Sequence, residues 1–185
     1  AMTTDNQPQH GLTVVELLII LAAIAVVVMI SVPGSGVVLE HYRLKAASSD
    51  LATSLHKAKE EALMRNSTAR VCPSSNGRFC RNDGNWNHGW LVYSDGNGDG
   101  TVQEIELIEA FDAPSPRVRV IATGAVQRTA SFTLSGLVPD DGNEAGSFHI
   151  CHEGLGARAK IVNIDPEGWV DVSRTESGDA VCSRS

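Results

Sequence analysis

An unbroken apolar run, Leu17 to Ile30, written LLIILAAIAVVVMI, constrains this chain more than any other feature. With Leu12 to Val15 and Val32 it widens into a low-polarity stretch from Leu12 to Pro33, interrupted by Thr13, Glu16 and Ser31. As a helix these 22 residues would rise about 33 Å, enough to cross the hydrocarbon core of a bilayer. A soluble single domain has no need of a helix that is apolar all the way round, so a buried core helix fits this segment poorly. A cleaved secretory signal fits no better. It would want a basic leader and a shorter apolar stretch ahead of a small-residue cleavage site. Here residues 1–11 hold no Lys or Arg, and Ala22-Ala23 sits inside the run. Glu16 is the telling residue, because a carboxylate within a membrane segment is costly alone and implies a partner charge.

Charge is distributed as unevenly as apolarity. All 15 Lys and Arg lie at Arg43 or later, while the first 42 residues carry only Asp5, Glu16 and Glu40. From Gly34 onward 15 basic residues meet 20 acidic ones, a net −5 within a total of −7. That balance argues against nucleic-acid binding as a default, since neutralising phosphates needs concentrated positive charge. The 42% apolar content, well spread along the chain, excludes a mainly disordered polypeptide.

The string Gly11-Leu12-Thr13-Val14-Val15-Glu16-Leu17 resembles the prepilin processing site, a glycine followed by F-T-L-x-E. The resemblance implies a cut between Gly11 and Leu12 by a prepilin peptidase on the cytoplasmic side, with methylation of the new amino terminus. Glu16 then becomes the fifth residue of the mature chain and Pro33 the twenty-second, where many pilins also carry proline. The chemistry is coherent: an amine in lipid needs an anionic partner, and Glu16 of a neighbouring subunit supplies one, fixing axial register during assembly. Leu12 replaces the usual Phe. The leader also lacks its usual basic residues, which weakens the positive-inside orientation signal.

Beyond the apolar run the period changes. Pro33-Gly34-Ser35-Gly36 is a breaker at which a helix should kink or loosen. Leu44, Ala47, Leu51, Leu55, Ala58 and Ala62 then recur at three- and four-residue steps, predicting an amphipathic helix from about Val37 to Asn66. Lys45, Asp50, Lys57, Lys59, Glu60, Glu61 and Arg65 occupy its other face. The remaining chain reads as strands over 69–72, 90–94, 105–111, 118–122, 131–134, 147–151, 159–164 and 169–173, separated by Asn-Gly, Asp-Gly and Pro-containing turns. Strands so short and closely spaced predict mostly antiparallel pairing. The expected architecture is α+β and pilin-like, a long N-terminal helix whose first half is transmembrane, packed on a mostly antiparallel β head. Its parts are a leader over 1–11, a membrane and assembly helix half over 12–33, an amphipathic half over 34–66, and a disulfide-stapled head over 67–185.

The four cysteines, Cys72, Cys80, Cys151 and Cys182, allow three pairings that sequence alone does not separate. Proximity favours Cys72 with Cys80 across PSSNGRF, and Cys151 with Cys182 tying the tail to a late strand. Both suit an oxidising compartment such as the periplasm. His149, Cys151 and His152 form a tight cluster, but on a strand His152 points away from the other two, and a disulfide is the simpler reading. No nucleophile–base pair stands out elsewhere, so the chain is not expected to be an enzyme.

Asp95-Gly96-Asn97-Gly98-Asp99-Gly100-Thr101-Val102-Gln103-Glu104-Ile105-Glu106 matches the calcium-loop pattern D-x-[DN]-x-[DN]-G-x5-E at every specified position. The side chains of Asp95, Asn97 and Asp99, the Thr101 carbonyl, Gln103 and a bidentate Glu106 would supply the oxygens that calcium prefers. The flanks read as strands and not helices, and Asp-Gly and Asn-Gly are also ordinary hairpin turns, so a metal-free acidic turn is the alternative.

Val71-Cys72-Pro73-Ser74-Ser75, Cys80, the segment Asn85 to Tyr93 and the loop from Asp95, with Phe148-x-x-Cys151 and Cys182, are together similar to the signature of the GspH/FimT family of minor pilins and pseudopilins. The resemblance implies a minor pilin of a type IV pilus, incorporated at the filament tip to prime or support assembly. The alternative is the H-type minor pseudopilin of a type II secretion system. Partners would be other minor and major pilins or pseudopilins, the prepilin peptidase and the inner-membrane assembly platform. The expected location is a single-pass inner-membrane precursor with a periplasmic head, then a pilus tip or periplasmic pseudopilus. A DNA receptor for natural transformation is the alternative of another class. The family's Gly-Arg-x-Arg segment corresponds here to Gly168-Trp169-Val170-Asp171, without either arginine, leaving Arg158 and Lys160 as the nearby charges. Nucleic acid is therefore not the expected partner.

Overall fold

Helix α1, Val14–Ser31, starts where a threonine can cap it: Thr13 Oγ1 accepts a hydrogen bond from the Glu16 amide at 3.2 Å. The computed structural model describes residues 13–31, 35–133, 146–155, 158–175 and 180–183. Contacts divide the chain into two compact units, Ala1–Val38 and Leu39–Ser185. In the first, every large apolar side chain from Val14 to Val28 is exposed. Among the described residues no helix is long and apolar enough to cross a membrane. The 18 residues of α1 rise about 27 Å, short of a hydrocarbon core of about 30 Å. The predicted 12–33 span, including Pro33, continues at both ends into residues outside the description.

Helix α2, Ser35–Arg65, begins two residues before the expected start and carries the predicted stripe. Leu44, Ala47, Leu51, Leu55, Ala58 and Ala62 are all buried, as one side of a 3.6-residue repeat should be. The helix ends on Asn66, whose φ of 51° places it in the left-handed region while Ser67 N donates to Ala62 O at 3.3 Å. Asparagine tolerates that conformation, and the bond satisfies a carbonyl the helix would otherwise leave open.

Eight strands follow: β1 Thr68–Pro73, β2 Gly89–Asp95, β3 Leu107–Asp112, β4 Val118–Gly124, β5 Ala130–Phe132, β6 Gly146–His152, β7 Ala159–Ile164 and β8 Val170–Thr175. A short helix, α3, spans Ala180–Ser183. The strands form two four-stranded antiparallel sheets, ordered β3-β2-β1-β5 and β4-β6-β7-β8. One apolar core unites the α2 stripe with Val71, Val92 and Phe132 of the first sheet and Phe148, Ile150 and Val162 of the second. At its centre Trp86 meets Phe148 edge-to-face at 4.8 Å. The indole N–H donates to Gln127 O at 2.9 Å, so the buried ring leaves no polar atom orphaned. One strand start differs from the expectation by more than one residue. Ile105 is not on β3 but 87% exposed in the turn before it, where Glu106 N and Leu107 N both donate to Gln103 O.

Both disulfides favoured by proximity are formed: Cys72–Cys80, with Cα atoms 5.5 Å apart, and Cys151–Cys182, at 5.7 Å. The first closes the turn after β1, and the second ties α3 to β6.

Candidate functional site

The residues expected to act in processing and assembly fall on either side of the described boundary. Gly11, Leu12 and Pro33 lie outside the described residues. Glu16 is exposed on the first turn of α1. Thr13-x-x-Glu16 has the spacing of a capping box, and its Thr half is formed. Glu16 therefore sits where a carboxylate also suits the positive end of the helix dipole. That spacing was readable in the sequence and gives Glu16 a local place beside the intermolecular role expected from the resemblance.

The loop between β2 and β3 gathers the candidate calcium ligands, and its own groups occupy most of them. The Asp95 side chain is fully buried at the end of β2, with Arg70 Nε of β1 only 3.0 Å from Oδ2. This is an ion pair whose N–H is not aligned for a hydrogen bond. Gly100 N donates to the same carboxylate at 3.2 and 3.3 Å. Gly100 has φ 72°, the left-handed conformation that glycine enters without a Cβ penalty. Asp99 accepts from Thr101 Oγ1 and Thr101 N at 2.7 Å, Asn97 Nδ2 at 2.9 Å and Gln103 Nε2 at 3.0 Å. These bonds, the Thr101 hydroxyl first, hold its carboxyl below the usual range. Tyr93 OH donates to Gly100 O at 3.1 Å, and burial pushes its phenol up to about 12. Glu106 is buried; its Oε1 accepts from Gly96 N at 3.2 Å, while Oε2 has no hydrogen-bond partner among the described residues. Among those residues no group of three or more His, Cys, Asp or Glu side chains is placed to hold a metal ion. The loop is closed by its own N–H groups and by the Arg70 guanidinium, which the loop motif alone did not reveal.

Elsewhere Cys151 is spent in its disulfide, and His149 Nε2 lies 3.2 Å from Ser147 Oγ. Trp169, in the β7–β8 turn, is 69% exposed beneath the Lys59 ammonium, which stands 4.6 Å from the ring centroid and donates to Gly168 O at 3.0 Å. Arg158 precedes β7 and Lys160 lies on it. Both open onto a cleft shared with Lys45 of α2 and Arg174 of β8. The last two were missed in the sequence, because only the strand register Lys160↔Arg174 brings them together.

The profile of the family described as type II transport protein GspH matches residues 47–168, more than half of the chain. The chain belongs to the GspH family. No curated protein sequence matches it. Among solved structures it is similar to the type IV minor pilin FimU of Pseudomonas aeruginosa, with TM-score 0.57 at 16% identity over 77% of this chain and 97% of that one. It is also similar to the minor pseudopilin EpsH of the Vibrio cholerae type 2 secretion system, with TM-score 0.53 at 11% identity over 73% and 99%. Identities this low show the fold, which is the pilin-like α+β arrangement. As a GspH-family chain it is a minor pilin or pseudopilin of the type IV pilus or type II secretion kind, a family of filament subunits and not of enzymes.

Proposed function

We propose that this chain is a minor pilin of a type IV pilus, cut after Gly11 and built into the filament tip through α1. Before assembly it is a single-pass inner-membrane precursor with its head in the periplasm. One observation carries the reading: α1 leaves every large apolar side chain from Val14 to Val28 uncovered and has a single acid, Glu16. Such a helix needs lipid or neighbouring apolar helices around it. The acid then has a use, as partner to the amino terminus that cleavage creates on a neighbouring subunit. The proline at position 33, which many pilins also carry, is the reason for placing the pilus ahead of the secretion pseudopilus. In the test, Glu16→Ala is processed normally by prepilin peptidase yet fails to enter filaments. Normal incorporation of the variant would remove the proposed role. Deleting the protein should abolish surface pili and leave type II secretion intact; the opposite pattern assigns it to the pseudopilus.

Calcium binding by the β2–β3 loop is a second reading, favoured by the buried Glu106 Oε2 that lacks a hydrogen-bond partner among the described residues. Asp95, Asn97, Asp99, Thr101, Gln103 and Glu106 would hold the ion, which would neutralise the loop's carboxylates and stiffen it. Arg70 already serves Asp95, so calcium has to compete with a guanidinium. Calorimetric titration should give heats that vanish in Glu106→Gln. Heats that are absent, or equal in the variant, leave an acidic turn.

A further inference from the structure

We propose that the cleft between α2 and the β7–β8 hairpin binds a compact phosphate-bearing anion. The cleft has a volume of about 460 Å³ and is walled by Lys45, Arg158, Lys160 and Arg174. An adjoining opening of about 340 Å³ shares His41, Arg158 and Arg174 with it and adds Thr175. Among the described residues no Asp or Glu lines either space.

This grouping is unusual for the molecule. Lys57, Arg65, Arg70, Arg81 and Arg117 each meet a carboxylate, whereas none of the ion pairs among the described residues uses the four cations of the cleft. The strand register sets Lys160 directly opposite Arg174. Like charges so placed repel each other, and with 20 acidic residues from Gly34 onward the chain has carboxylates that could have relieved them. Cations converging from a helix and two strands match a tetrahedral anion, whose several oxygens accept from several directions at once. A single carboxylate would engage one arginine and leave the others facing each other.

The net charge sets the size of the ligand. A polyanion longer than the cleft would run over a surface that is net −5 and be repelled there. A free phosphate or a phospholipid headgroup meets only the cleft. The proposal is independent of the filament reading.

The experiment uses the full chain in neutral detergent, titrated calorimetrically with inorganic phosphate and, separately, with short-chain phosphatidylglycerol against phosphatidylcholine. Saturable binding of inorganic phosphate identifies a free-phosphate site. Binding of phosphatidylglycerol alone identifies a headgroup site. Either should weaken about tenfold or more for each charge-assisted contact removed, in Lys160→Gln and Arg174→Gln, and stay unchanged in Arg78→Gln, which lies outside the cleft. If the strand variants misfold, the exposed Arg158→Gln gives the same reading. Absence of saturable binding to either probe, or equal binding by wild type and variants, overturns the proposal. Tighter binding of a single-stranded oligonucleotide, growing with its length, also overturns it in favour of a nucleic-acid tract.

Discussion

Replacing Arg70 with alanine strips the counter-charge from a carboxylate that has no access to water. The Asp95 side chain is 0% exposed and that of Arg70 31%, with 3.0 Å between them. Breaking a buried pair from one side costs about 3–5 kcal/mol, because the remaining charge stays buried and uncompensated. Arg70 keeps part of its side chain in water and Gly100 N still donates to Asp95, so the loss belongs at the lower end, about 3 kcal/mol. For a domain of this size that is a fall of about 6–12 °C in Tm. Asp95→Asn should cost less, since the freed guanidinium can turn toward solvent. The double variant should then be less destabilised than the sum of the two, with a coupling of about 2 kcal/mol. Urea unfolding followed by circular dichroism, on all four members of the cycle, measures this directly. A coupling below about 0.5 kcal/mol would refute the reasoning and make Arg70 a bystander. The same variant sharpens the calcium reading. With Arg70 gone, calcium has Asp95 to itself and should raise the melting temperature of Arg70→Ala more than that of wild type.

Three further outcomes are expected. A Cβ on Gly146 would stand 2.4 Å from Val126 Cγ2 in the core, so Gly146→Ala should lose about 1–3 kcal/mol in urea unfolding, most of it recovered by adding Val126→Ala. Lys160→Gln removes one of two facing cations and should raise stability by about 0.2–1 kcal/mol at low salt, a gain that high salt abolishes. Burial raises the Tyr93 phenol from its ordinary 10.0 to about 12, so the stability it contributes is complete below pH 10 and lost as pH rises toward 12. The urea midpoint should fall over that window in wild type and less steeply in Tyr93→Phe.

What the sequence disclosed follows from the range of each interaction. The α2 stripe was legible residue by residue, because a helical face is set by neighbours three and four positions away. The strands were found to within a few residues wherever turns bounded them. Ile105 was misplaced because the turn bonds to Gln103 O end the loop later than β-propensity suggests. The candidate site was read in parts. The motif named its acidic residues but not Arg70, which reaches Asp95 only through the pairing of β1 with β2. Arg158 and Lys160 were visible as an isolated pair of charges. Lys45 and Arg174 join them only once α2 and β8 are placed against β7, a matter of tertiary packing that no local pattern encodes.

The Cys151–Cys182 bond closes a covalent ring across a sequence separation of 31, and that ring encloses both β7 and β8. A protease that nicks the chain inside it leaves one molecule, which separates into fragments only on reduction. A pull on the carboxy-terminal end passes through the bond into β6, the strand paired with both β4 and β7, without peeling the β7–β8 hairpin from its edge. In a subunit of a pilin or pseudopilin filament, that routing lets the tail bear tension while the hairpin stays seated.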